Sequence, residues 1–139
     1  MDSCIFCKII AGEMPSIKLY EDEKTIAILD IFPIARGHTL IIPKAHSETL
    51  YDIQVEDAKA VGATVSRVTK AVKQVLKCDG VNVYQANEKV AMQEIMHVHF
   101  HVIPRFENDN IVFMAQKTEL VEEPEVTAQL RSFLDNLKK

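Results

Sequence analysis

The stretch His97-Val98-His99-Phe100-His101-Val102-Ile103 decides how this chain reads. Read as a strand, it alternates its side chains between two faces, so His97, His99 and His101 share one and Val98, Phe100 and Val102 the other. Pro104 ends it. Three of the 5 histidines of the chain fall here. An apolar face of this kind has to be packed, which builds the histidine face into a site rather than leaving it a solvated stripe. Two chemistries suit such a face. Three neutral imidazoles can hold a transition metal. Alternatively, one imidazole attacks an electrophile while the others bind and position it. Imidazole titrates near neutrality and can serve as nucleophile, base or acid without an extreme shift. Spacing leaves both chemistries open.

Outward from this strand, residues 81–85 alternate as another strand after the breaker Asp79-Gly80. Before it, Val55, Ala58, Val61, Val65, Val68, Val72, Val75 and Leu76 recur in steps of three and four, which predicts one amphipathic helix over 55–76. Residues 17–21, 25–31 and 38–42 read as three short strands, with Glu21-Asp22-Glu23-Lys24 as a turn and Pro33 to Gly37 as a loop. A last helix starts near Pro124, with Val126, Leu130, Phe133, Leu134 and Leu137 on one face. Strands joined by hairpins around one long helix predict an α+β fold, a five-stranded and mainly antiparallel sheet, over a doubly wound one.

The 139 residues fit a single domain, with a motif-bearing core over about 4–105 and a helical extension over about 120–139. The 47% apolar content supports a core without staples. A net charge of −4 argues against a general polyanion binder, so no sequence-specific nucleic-acid partner is expected. No apolar run reaches the ~20 residues a membrane span needs. Met1 to Ile10 lacks the basic flank and apolar run of a secretion signal. An odd set of cysteines (Cys4, Cys7 and Cys78) without such a signal suggests reduced thiols and a cytoplasmic setting, with a nuclear one also open. Cys4 and Cys7 have the Cys-x-x-Cys spacing of a metal clip.

Three blocks together carry a family resemblance. They are Cys4-Ile5-Phe6-Cys7-Lys8-Ile9-Ile10 with Pro15; Asp30-Ile31 with Gly37-His38-Thr39-Leu40-Ile41-Ile42-Pro43-Lys44 and His46; and the histidine strand. In this order they resemble the histidine-triad superfamily, and most closely its branch of histidine-triad nucleotide-binding proteins. The resemblance implies the histidine-triad fold, homodimers whose sheets join, and cleavage of nucleoside phosphoramidates to release a purine nucleotide such as AMP. It makes His99 the nucleophile that forms a nucleotidyl-histidine, His101 a phosphate contact, and His38 and His97 supporting histidines. It gives Asp30 to the ribose, and Ile5, Phe6, Ile9, Ile28, Ile31 and Leu40 to the base. It completes the Cys4–Cys7 clip with His46 and His97. Two thiolates and two imidazoles make a closed, structural zinc site, which favours the nucleophile reading of the strand.

The segment before the strand departs from the family pattern. Gln93 fits, and Asn87 corresponds to a loop asparagine. Met92 stands where a glycine is expected, and Glu94 where a phosphate-binding serine is expected. Glycine lets backbone approach phosphate closely. An ionised Glu94 only accepts hydrogen bonds and repels phosphate. The resemblance leaves a second enzyme reading, a dinucleoside polyphosphate hydrolase using the same nucleophile, and Met92 and Glu94 leave another, a nucleotide-binding regulatory protein that has lost turnover.

Overall fold

The computed structural model describes residues 3–113 and 115–138. A short helix α1 (Ile5–Ile10) precedes strands β1 (Lys18–Glu21), β2 (Thr25–Leu29) and β3 (Thr39–Pro43). Helix α2 (Val55–Leu76), strands β4 (Gly80–Gln85) and β5 (Phe100–Arg105), and helix α3 (Pro124–Leu137) follow. The five strands form one sheet in the order β1-β2-β3-β5-β4, and every neighbouring pair is antiparallel. This is the expected α+β architecture.

Both faces of the sheet are covered, which is why the central strands β2 and β3 are apolar at nearly every position. On one face Ala27, Ile41 and Val102 pack against Val61, Val68 and Val72 of α2. On the other, Ile26, Ile28, Leu40 and Ile42 close over Phe6 of α1. Helix α2 matches its expected span, but its stripe is narrower than the spacing suggests. Val61, Thr64, Val68 and Val72 are buried, whereas Val55 and Val75 at its two ends are exposed. Thr64 earns its place in the stripe through a 2.7 Å hydroxyl hydrogen bond with Thr25.

One element is new and two expectations change. Residues 5–10 are helical, a single-turn-scale element too short for periodicity to signal. Its N-cap is Cys4, whose Sγ accepts the Cys7 N–H at 3.4 Å. Strand β2 stops at Leu29, because Asp30 turns out to accept the Phe32 N–H on Oδ1 at 2.8 Å. The histidine strand begins at Phe100 rather than at His97. The ladders to β3 and β4 both stop at Phe100, opposite Ile41 and Gln85, so residues 97–99 lie beyond them, and the Val98 N–H donates to the Ser47 carbonyl at 2.8 Å instead. The C-terminal helix α3 has the expected apolar face, but none of its residues is buried. No helix among the described residues is long and apolar enough to cross a membrane.

Candidate active site and metal-ligand cluster

The chain divides its histidines between two adjoining clusters. The first gathers Cys4, Cys7, His46 and His97, whose ligand atoms all lie within 4.8 Å of one another. His97 is fully buried, and its Nε2–H donates to the Pro43 carbonyl at 2.8 Å. A carbonyl only accepts, so the bond fixes the tautomer and leaves the Nδ1 lone pair facing Cys4 Sγ at 3.4 Å and Cys7 Sγ at 3.6 Å. His46 Nδ1 lies 3.1 Å from His97 Nδ1 and 3.3 Å from Cys7 Sγ. Burial, and secondarily the neighbouring histidines against the Pro43 bond, pushes His97 down to about 4, so the ring is neutral and available as a ligand. Two convergent thiols and two imidazole nitrogens, one oriented by a backbone carbonyl, fit a tetrahedral metal ion.

The second cluster holds His99, His101, His38 and Asp30. His99 is buried beside the ring of Phe6, at 5.0 Å, and its Nδ1–H donates to the His97 carbonyl at 2.7 Å. By the same argument its Nε2 carries a free lone pair. His38 is also buried, and its Nδ1 accepts the Ile34 N–H at 3.0 Å. The proton of the neutral ring therefore sits on Nε2, 2.9 Å from His101 Nδ1 and 3.5 Å from Asp30 Oδ2. His101 accepts that proton's hydrogen bond and keeps its own N–H on Nε2, as a donor for an incoming oxygen. Burial holds all three rings below the ordinary imidazole value. Asp30 opposes the shift at His38 and His99, and the charges of His99 and His38 deepen it at His101, which falls to about 3. The site thus pairs a neutral nucleophilic nitrogen with an N–H donor, the arrangement needed to attack an electrophile while holding one of its oxygens.

Of the residues assigned to the base, Ile5, Phe6, Ile9, Ile28 and Leu40 converge in the α1-side cluster. Ile31 stands apart and is 74% exposed. Asn87 and Gln93 spend their side chains within the chain. Asn87 Oδ1 accepts the Leu50 N–H at 2.8 Å, and its amide exchanges two hydrogen bonds with Gln85. Gln93 is buried, accepts the Glu88 N–H at 2.6 Å and donates to the carbonyls of Glu48 and Ile95. Glu94 is exposed and lines a cavity of ≈ 320 Å³ with Ser3, Ile5, His46, Glu48 and Met96. The loop keeps glycine-like backbone without glycine: Glu88 has φ 74° and ψ 157°, and Met92 has φ 74° and ψ 24°.

Tyr84 belongs to the site, yet nothing in the sequence singles it out. Its ring stacks on His101 at 4.1 Å with an interplanar angle of 6°. The β4–β5 register that brings the two together follows a long connection, so no turn motif announces it.

Comparison with known proteins agrees with this geometry. The HIT domain family matches residues 11–108. Adenosine 5'-monophosphoramidase HNT1 of Saccharomyces cerevisiae is 50% identical over 103 residues, which span 74% of this chain and 63% of that protein. The histidine triad nucleotide-binding protein from Candida albicans superposes with a TM-score of 0.82 at 37% identity, covering 98% of each chain. A Zn-bound histidine triad family protein from Mycobacterium smegmatis superposes with a TM-score of 0.77 at 38% identity, covering 99% of this chain and 96% of that one. On its sequence, its sheet and its histidine clusters, the chain belongs to the HIT domain family.

Proposed function

We propose that this protein is a hydrolase of nucleoside phosphoramidates of the AMP-amine type, acting through a nucleotidyl-histidine on His99. The observation that carries the reading is the 2.7 Å bond from His99 Nδ1–H to the His97 carbonyl, which leaves Nε2 as a free nucleophile. In the first step Nε2 attacks the α-phosphorus, the phosphorus–nitrogen bond breaks, and the amine departs with a proton. In the second, water attacks the same phosphorus, the bond to Nε2 breaks, and the nucleotide leaves. Splitting one displacement into two easier ones is the gain from covalent catalysis. His101 Nε2–H meets a phosphate oxygen and Asp30 the ribose hydroxyls. The relationship to HNT1, named for adenosine 5'-monophosphoramidase activity, supports this reading over others.

Zinc is the metal that two cysteines and two histidines suit best. When bound, it would cross-link α1 and the segment at His46 to the segment before β5 that carries His99, a structural rather than chemical contribution. The open edge of β4 and the uncovered face of α3 suit pairing with a second copy of the chain. Free cysteines suit a reducing, cytoplasmic setting.

The test is to mix the protein with an adenosine phosphoramidate, quench in acid and measure intact mass. The expected result is an adduct of roughly 329 Da, one AMP group, as covalent catalysis requires, and its loss in His99→Ala. Nucleotide binding with neither adduct nor released amine would replace the hydrolase with the regulatory binder.

A further inference from the structure

His101 has a demanding task in this site, because its two ring nitrogens are not interchangeable. Nδ1 faces His38 Nε2 at 2.9 Å, and only the other nitrogen can offer a proton to substrate. A histidine ring rotates in a broad, roughly two-fold well about its last torsion. Burial does not lock this one, since His101 is only half-buried. Its imidazole neighbours lean on it obliquely: His99 at 5.0 Å and 59°, His38 at 5.1 Å and 46°. The flat contact comes from Tyr84, which stands directly opposite His101 in the β4–β5 register and lies parallel to it.

Tyr84 is itself supported from outside. Phe113 tilts against it with ring centres 6.1 Å apart. The Arg105 guanidinium lies 5.4 Å over the Phe113 ring. Arg105 is in turn held by both Asp109 oxygens, by Asn82 Oδ1 and by the Ile111 carbonyl, at 2.7–3.0 Å. The turn after β5 is therefore tied down where it delivers Phe113 to Tyr84. Neither aromatic ring is part of the two apolar clusters of the sheet. Phe113 is 49% exposed, so core packing does not account for the arrangement.

We propose that Tyr84, buttressed by Phe113, is a positioning residue for His101: its ring fixes the imidazole plane so that Nδ1 stays on His38 and Nε2–H is presented to the substrate phosphate. This rests on the hydrolase reading only for what His101 does, not for how its ring is held. The ring of Tyr84 does the work, not its hydroxyl. An aromatic pair of this kind is worth roughly three- to tenfold in an equilibrium.

The experiment uses the full chain as wild type, Tyr84→Leu, Tyr84→Phe and Phe113→Leu. It reads the His101 ring-proton shifts by NMR and kcat/KM on an adenosine phosphoramidate. Tyr84→Leu is expected to move the His101 ring protons downfield, as the stacked ring current disappears, and to lower kcat/KM about three- to tenfold. Tyr84→Phe is expected to restore both, and Phe113→Leu to give a smaller change of the same sign. Tyr84→Phe as impaired as Tyr84→Leu would show a role for the hydroxyl and overturn the proposal. So would a Tyr84→Leu protein at wild-type rate, or, if that variant does not fold, a Phe113→Leu protein with unchanged shifts and rate. A wild type without turnover would defeat the hydrolase reading alone. AMP affinity then takes the place of rate: weakened in Tyr84→Leu and kept in Tyr84→Phe supports positioning, and equal affinities overturn it.

Discussion

The backbone carbonyl of His97 accepts the Nδ1–H of His99 at 2.7 Å, while the ring of the same His97 faces Cys4 and Cys7. One residue thus connects the two clusters, its side chain belonging to the candidate ligand set and its main chain orienting the proposed nucleophile. The expected consequence is a single tautomer of His99 at neutral pH, protonated on Nδ1. Long-range nitrogen–proton NMR of the free protein checks it, and a protonated Nε2 would remove His99 as the attacking group.

Metal removal should be felt beyond the cluster. Wild-type protein purified without added metal is expected to carry roughly one zinc per chain, as a closed four-ligand site does. Cys7→Ser is expected to lose it. If the site is saturated about a thousandfold above its dissociation constant, its loss lowers stability by about 4 kcal/mol. Elemental analysis and denaturation of both proteins, with and without chelator, give the comparison. Equal stability of loaded and stripped wild type would contradict the structural role.

The loop before the strand offers a graded test. Glu88 occupies a region of backbone space that is essentially glycine-only, and Met92 the milder left-handed region. Strain of about 1–3 kcal/mol at such a residue is partly offset, on mutation to glycine, by about 0.4–1 kcal/mol of extra unfolded-state freedom. Glu88→Gly is therefore expected to stabilise the protein by about 1 kcal/mol, and Met92→Gly by less. Chemical denaturation of the two variants measures the order. Destabilisation by Glu88→Gly would show that its backbone strain is offset by contacts of the side chain, such as the Tyr51 hydroxyl hydrogen bond at 3.3 Å.

His101 also sets a pH dependence. Burial, with His99 and His38, pushes it down to about 3, against 6.5 for an ordinary imidazole. Below about pH 6.5 the unfolded chain takes up a proton that the folded chain refuses, so this residue costs stability progressively as pH falls from 6.5 towards 3. His101→Gln is expected to flatten the loss of stability between pH 6.5 and 4. A variant with the wild-type slope would place the acid sensitivity in other groups.

Much of this site is legible in residues, and much of the rest lies in backbone. The steps from Val55 to Leu76 mark α2 because a half-buried helix must repeat its apolar positions, and the structure returns the same limits. The alternation of valines and histidines marks two faces, and Val102 does pack against the α2 side while His99 meets Phe6. The carbonyls of Pro43 and His97, which choose the tautomers, have no side-chain signature. Gln93 fits the family pattern by type, but its identity does not reveal that its amide closes the loop onto Glu48 and Ile95. Ile31 reads as one more apolar position, although β2 has already ended before it.

The Cys4–His97 contact joins residues 93 positions apart. During synthesis α1 emerges long before the strands that hold it; Cys7 waits for His46, and the ligand set stays incomplete until His97 has been made. Contacts of such long sequence separation form late and slow folding. Residues 4–7 are therefore made 90 or more positions ahead of their last partner and are among the last secured, and over that interval two thiols face whatever metal or oxidant the surroundings supply.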